Sequence, residues 1–338
     1  MGVPAVKASR LSPILNRTRR YAAIGTSALR AGALGLCMIW ACRDAQPSQN
    51  VSQPTLPAGQ ANEDAVRSLI DQGLFSQAEE LLNEQIKKGS DPLSDYVWLG
   101  HLELRRGRTF ASIRAYRQAE ALQPRNGEIH RLLASDYYLL NQRGLFKEEI
   151  QDALTGNPND PQTNYLAGRF SYEVDKNFGA AADYLLKASR LNPGDYKADY
   201  YLALSFVQLN RPEDAQSQFA HACDLVESSH SKYTAPFRGI AEVFLEKGES
   251  PSALSYIRRA LRVDPGDAEI CYLEAKALLQ LGHTDEAIDA LKRSATLDPG
   301  WAEPVYILGT TYAKIGLHAM SEQAFTRFRQ IQEEYGKN

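Results

Sequence analysis

The sequence predicts an all-α protein built as a stack of helical hairpins, and three observations carry that prediction. Asp264-Pro265-Gly266-Asp267-Ala268-Glu269 returns as Asp298-Pro299-Gly300-Trp301-Ala302-Glu303, a period of about 34 residues. Between the copies lie two stretches of helical periodicity. Ile270, Leu273, Ala277, Leu278 and Leu281 lead up to Gly282, and Ala287, Ile288 and Leu291 follow on the way to Leu297. The same period runs back along the chain. Pro124 and Pro158 stand one period apart, Pro158 and Pro193 one period and a residue, and Pro193 and Pro265 two periods with four residues inserted. A hairpin that is apolar on more than one side cannot bury that surface alone, so each one requires a neighbouring copy.

The register fixes where helices should touch. Twelve residues before each proline, in the second helix, stand Ser112, Phe146, Ala181, Ala253 and Ala287, with Ala215 in the unit that lacks its proline near Glu227. Twenty-four before, in the first helix, stand Gly100, Ala134, Ala241 and Ala275, with Gly168 and Ala203 in the two units disturbed by insertions. Small side chains at these places allow close helix approach.

Trp98-Leu99-Gly100, Ala119 and Pro124, and again Leu308-Gly309, Tyr312 and Gly316, at this spacing resemble the tetratricopeptide repeat. The resemblance implies a right-handed α-solenoid over residues 62–338, of about eight hairpins and a C-terminal capping helix. The units are expected to begin near Ala65, Leu93, Gly127, Pro161, Tyr196, Thr234, Ala268 and Ala302. The departures are Ser112 and Phe146 where alanine is usual, one extra residue around Asp175 to Asn177, and an insertion at Ser228 to Ser231.

Residues 1–41 read as an address. Lys7, Arg10, Arg17, Arg19, Arg20 and Arg30 stand without any acid and precede the apolar run Ala31 to Ala41. That run is about half of what spanning a bilayer requires, yet it suits the apolar core of a signal peptide. Ile39-Trp40-Ala41-Cys42 resembles a bacterial lipobox, which implies cleavage before Cys42, lipidation of that cysteine, and a protein exported to the periplasm or cell envelope and anchored to a membrane. An ordinary secretory signal, an uncleaved anchor over Tyr21 to Cys42 and a mitochondrial presequence are the alternatives. Residues 42–61, rich in Pro, Ser and Gln, have too little apolar surface to fold and read as a tether.

Removing the leader's six bases from the 38 leaves 32 against 41 acids, a net charge near −9. No basic stripe offers itself to nucleic acid, so none is expected as partner. Cys223 and Cys271 fall two units apart and read as small buried hydrophobes. His101, His130, His221, His230, His283 and His318 are scattered, without metal-ligand spacing, and read as surface or cap residues. No catalytic residue, cofactor site or metal site is expected, and the chain reads as non-enzymatic.

One feature recurs. Three residues before the first-helix contact positions stand Val97, Arg131, Tyr165, Tyr200, Arg238, Tyr272 and Tyr306, about 60° round the helix. In the family resembled, that side faces a concave groove that holds partner segments. Tyr165, Tyr200, Tyr272 and Tyr306, with Arg131 and Arg238, are therefore the expected lane for a protein or peptide, since tyrosine joins apolar area to a hydrogen-bonding tip and arginine engages carboxylates. Interhelical packing is the competing role for the same tyrosines. The function that follows is a protein-binding scaffold in envelope complex assembly. The alternatives are a recruiting subunit of an envelope peptidase or glycosyltransferase, and an oligomerisation module.

Overall fold

A computed structural model describes residues 58–89 and 91–335. The leader, Cys42 and most of the tether lie outside the described residues. Among the described residues sixteen α-helices follow one another, and there is no strand. They are α1 (Ala58–Asp71), α2 (Phe75–Lys88), α3 (Pro92–Arg105), α4 (Thr109–Leu122), α5 (Gly127–Leu139), α6 (Arg143–Gly156), α7 (Pro161–Phe170), α8 (Phe178–Leu191), α9 (Tyr196–Gln208), α10 (Pro212–Ser228), α11 (Ala235–Glu246), α12 (Ser250–Val263), α13 (Ala268–Leu281), α14 (Thr284–Leu297), α15 (Ala302–Lys314) and α16 (His318–Tyr335). The chain forms two compact units, one ending at Arg143 and the other beginning at Gly144. Consecutive helices pack on one another from α1 to α5 in the first unit and from α7 to α16 in the second. None of the described helices is long and apolar enough to cross a membrane.

The first helices of five hairpins have a local cause at their starts. Side-chain oxygens of Asp91, Asn126, Asp160, Asp195 and Asp267 accept backbone N–H groups at the starts of α3, α5, α7, α9 and α13, satisfying donors that a helix N-terminus leaves open. In the Asp-Pro-Gly-Asp turn, Asp264 accepts the Gly266 N–H at 2.9 Å before Asp267 caps the next helix. The turn inside each hairpin takes one residue of positive φ: Gly73, Gly107, Asn141, Lys176, Asn210, Gly248, Gly282 and Gly316. Each stands one period past the last, except that one residue is added between Asn141 and Lys176 and four between Asn210 and Gly248. The series marks out the hairpins among the described residues and locates both insertions.

Both insertions are absorbed where they fall. The extra residue before Asn177 winds Ser171–Asp175 into a π-helical turn at the end of α7, closed by Lys176 at φ 54°; one added residue in a helix produces such a bulge. The four-residue insertion lengthens α10 to 17 residues against 14 in α8, α12 and α14, about one more turn. α1 also starts earlier than the repeat register suggests, at Ala58, inside the stretch read as tether.

The contact positions are as close as their residue types imply. A Cβ on Gly100 would stand 2.1 Å from the Tyr116 ring, on Gly168 2.5 Å from Leu185 and on Gly309 2.9 Å from Phe325. Ala134, Ala203, Ala241 and Ala275 are fully buried. Gly239, two residues before Ala241, does the same work against the Phe219 ring at 2.4 Å, a contact the period does not mark. Phe146, in alanine's place, stacks on Phe170 with ring centroids 3.8 Å apart.

Candidate functional site

The residues of the expected lane differ in burial. In the second unit, Tyr165 on α7 and Tyr200 on α9 are half-buried and meet through Tyr201, whose ring lies 6.0 Å from Tyr165 and 5.3 Å from Tyr200, edge-on to both. Tyr233, in the segment before α11, closes on Tyr200 at 5.7 Å. Such edge-to-face pairs add about 0.5–1.5 kcal/mol each beyond the area they bury. The Arg169 guanidinium lies 5.5 Å over the Tyr201 ring and donates to Glu173 at 3.1 Å, while the Tyr201 hydroxyl donates to the same carboxylate at 2.5 Å. Burial pushes the phenols of Tyr200, Tyr201 and Tyr233 up, so they remain hydrogen-bond donors at neutral pH.

Arg238 on α11 pairs with Glu269 on α13, and its charge acts on the Tyr200 phenol of this cluster. Tyr272, also on α13, belongs to the same apolar core that Tyr165, Tyr200, Tyr201 and Tyr233 pack against. It is buried at 5% exposure beside Trp301, centroids 4.8 Å apart, and its hydroxyl donates to Glu303 at 2.7 Å. Trp301 stands where Asp267 caps the preceding unit and makes no side-chain cap; its indole covers Tyr272 instead. Tyr306 on α15 is 44% exposed and rests against Phe325 and Phe328 of α16 at 5.8 and 5.3 Å. Arg131, in the first unit, is half-buried and pairs with Glu128 at 3.4 Å.

The remaining titratable groups brace the structure. Asp199, 1% exposed, receives the Ser189 hydroxyl at 2.6 Å and faces His221 Nδ1 at 2.7 Å, tying α8, α9 and α10 together. The serine engages the carboxylate and not the imidazole, which makes a cross-brace and not a nucleophile with its base. Cys223 and Cys271 are both free and buried, and burial pushes both thiols up; Arg293 opposes this at Cys271, its guanidinium 3.3 Å from Sγ. Protonated buried thiols are poor nucleophiles. His130, read as a surface or cap residue, is buried at 6%, with Nε2 2.9 Å from the Pro124 carbonyl oxygen. It braces the turn into α5 from inside.

Residues 174–228 and 238–301 match the tetratricopeptide repeat family. The chain is similar to a Pseudomonas aeruginosa structure from the functional characterization of pilF, at 21% identity and TM-score 0.55, covering 67% of this chain and 97% of that one. It is likewise similar to a tetratricopeptide repeat protein from Parabacteroides merdae ATCC 43184, at 19% identity and TM-score 0.50, covering 75% of this chain and 98% of that one. No curated protein matches it. At these identities the structural likeness is one of fold. The chain carries tetratricopeptide repeats, stacked as helical hairpins.

Proposed function

We propose that this chain is a non-enzymatic scaffold that binds a segment of a partner protein along the tyrosine lane of its second unit, in assembly of a cell-envelope complex. The observation that carries the reading is the accessible aromatic surface. Tyr306 is 44% exposed with Phe325 and Phe328 at its flank, and Tyr165 and Tyr200 are half-open. Aromatic side chains held on packed helices bind at low entropic cost. The basic leader and the lipobox-like Ile39-Trp40-Ala41-Cys42 support an exported protein held to a membrane through Cys42.

Cross-linking with mass spectrometry on intact cells identifies the partner, and the single variants Tyr165→Ala, Tyr200→Ala and Tyr306→Ala are then assayed for affinity and thermal melting. Tyr306→Ala should weaken binding by about 1–2 kcal/mol, as an interface anchor does, with melting close to that of the parent. Parental affinity in all three variants overturns the lane as the binding surface.

A further inference from the structure

Asp136 stands on α5 two residues past the Ala134 contact position. Leu102, Phe170, Ser205, Val243, Ala277 and Thr311 hold that place in other hairpins, so among these only this one puts a carboxyl there. The residue is fully buried, and neither carboxyl oxygen completes a hydrogen bond. Across from it on α4 is Ser112, fully buried, whose hydroxyl acts on both Asp136 and the Tyr116 phenol but completes a hydrogen bond with neither. Two core positions that are apolar or small elsewhere are thus both polar here, and they face each other. One turn on from Ser112, the buried Tyr116 directs its hydroxyl to His101 Nδ1 at 3.0 Å. Arg131 and Glu128 of α5 act on that phenol, and among the described residues no cation acts on the Asp136 carboxyl. A carboxylate buried without a counter-charge is costly, whereas a carboxylic acid fits the site and can donate to the serine.

We propose that the Asp136–Ser112 pair is a proton-gated joint of the first unit, which packs α4 against α5 tightly when Asp136 is protonated and loosens when it ionises. Burial pushes the carboxyl up to about 7, with the Ser112 hydroxyl pulling the other way, against about 3.9 for an unfolded aspartate. Between those values the folded chain keeps a proton that the unfolded chain has lost. The stabilisation is complete below about pH 4 and is lost as pH rises through about 7, with the opening constant growing about tenfold per pH unit across that window and levelling above it. Asp95 in the same unit is pushed up to about 6 by burial, with Asp91 and Glu63 adding to it, so the comparison with a variant isolates Asp136.

The test is hydrogen exchange on the full chain from about pH 5 to 9, corrected for intrinsic rates and read over residues 109–139, for wild type and Asp136→Asn. Infrared spectra of the carboxyl C=O band are recorded on the same samples. The ratio of wild-type to variant opening should rise about tenfold per unit up to about pH 7 and then flatten. The wild type should show a buried carboxylic-acid band that disappears through about pH 7. A constant ratio across the range overturns the proposal. Should Asp136→Asn fail to fold, the wild-type band decides alone, since a band absent at about pH 5.5 or unchanged to pH 9 also overturns it.

Discussion

Gly100→Ala adds one methyl group at the most crowded point of α3. The new Cβ would lie 2.1, 2.5 and 2.6 Å from three carbons of the Tyr116 ring, where carbon atoms prefer roughly 3.5–4.0 Å. The ring must retreat by more than about 1 Å. It is fully buried, and its hydroxyl is bonded to His101, so retreat both overpacks the core and breaks that bond. Overpacking costs about 1–3 kcal/mol and a lost hydrogen bond about 1 kcal/mol, while alanine regains about 1 kcal/mol of helix propensity. The net expectation is about 2 kcal/mol of destabilisation. Gly309→Ala is the control. Its nearest ring atom, on Phe325, is at 2.9 Å, and that ring is only half-buried on the terminal helix, so a small shift relieves it and the propensity gain leaves the change near zero. Hydrogen exchange resolved by segment reports each site separately. Protection over α3 and α4 should fall by about one to two orders of magnitude in Gly100→Ala, with α15 and α16 almost unchanged in Gly309→Ala. A Gly100→Ala chain as protected as the parent would refute the argument.

Two further outcomes follow from the same structure. Tyr272→Ala should leave a cavity beside Trp301 and cost about 3–5 kcal/mol, the range for a buried aromatic, whereas Tyr272→Phe, which keeps the ring and loses the hydroxyl that donates to the exposed Glu303, should cost about 1 kcal/mol; equal melting shifts in the two variants would show that the ring is not what matters. Cys42→Ser should abolish fatty-acid labelling and release the chain from membranes, because stable anchoring takes two acyl chains; retention of the variant with unchanged electrophoretic mobility would identify an uncleaved anchor instead.

The hairpins were legible because their causes are local and periodic. Helix starts expected near Leu93, Gly127, Pro161, Tyr196, Thr234, Ala268 and Ala302 lie within one residue of those observed. Gly107, Gly282 and Gly316 mark the inner turns openly, but Asn141, Lys176 and Asn210 adopt the same backbone form without advertising it. The positions of the tyrosines on their helices were legible, and what surrounds them was not. Periodicity states the angle at which Tyr165, Tyr200, Tyr272 and Tyr306 leave their helices, and nothing in it states what the next hairpin lays over them. Trp301 stands where a capping aspartate stands one unit earlier and covers Tyr272, while Tyr306 meets Phe325 and Phe328 of α16. Tyr233 lies outside the helical register, after the four-residue insertion, so no period could assign it to the aromatic cluster. His130 and Asp136 were missed for a related reason. Their burial depends on shape around the turn and on one facing serine, both of which are tertiary facts.

The π-helical turn at Ser171–Asp175 and the extra turn of α10 each keep a change of chain length inside the hairpin where it occurs. The residues that follow resume the common step at once, with Asn210 and Gly282 each a single period past the preceding inner turn. An array with this property can be edited one module at a time. A helix can lengthen, and a new side chain such as Tyr233 can arrive beside it, without the remaining modules having to renegotiate their seams.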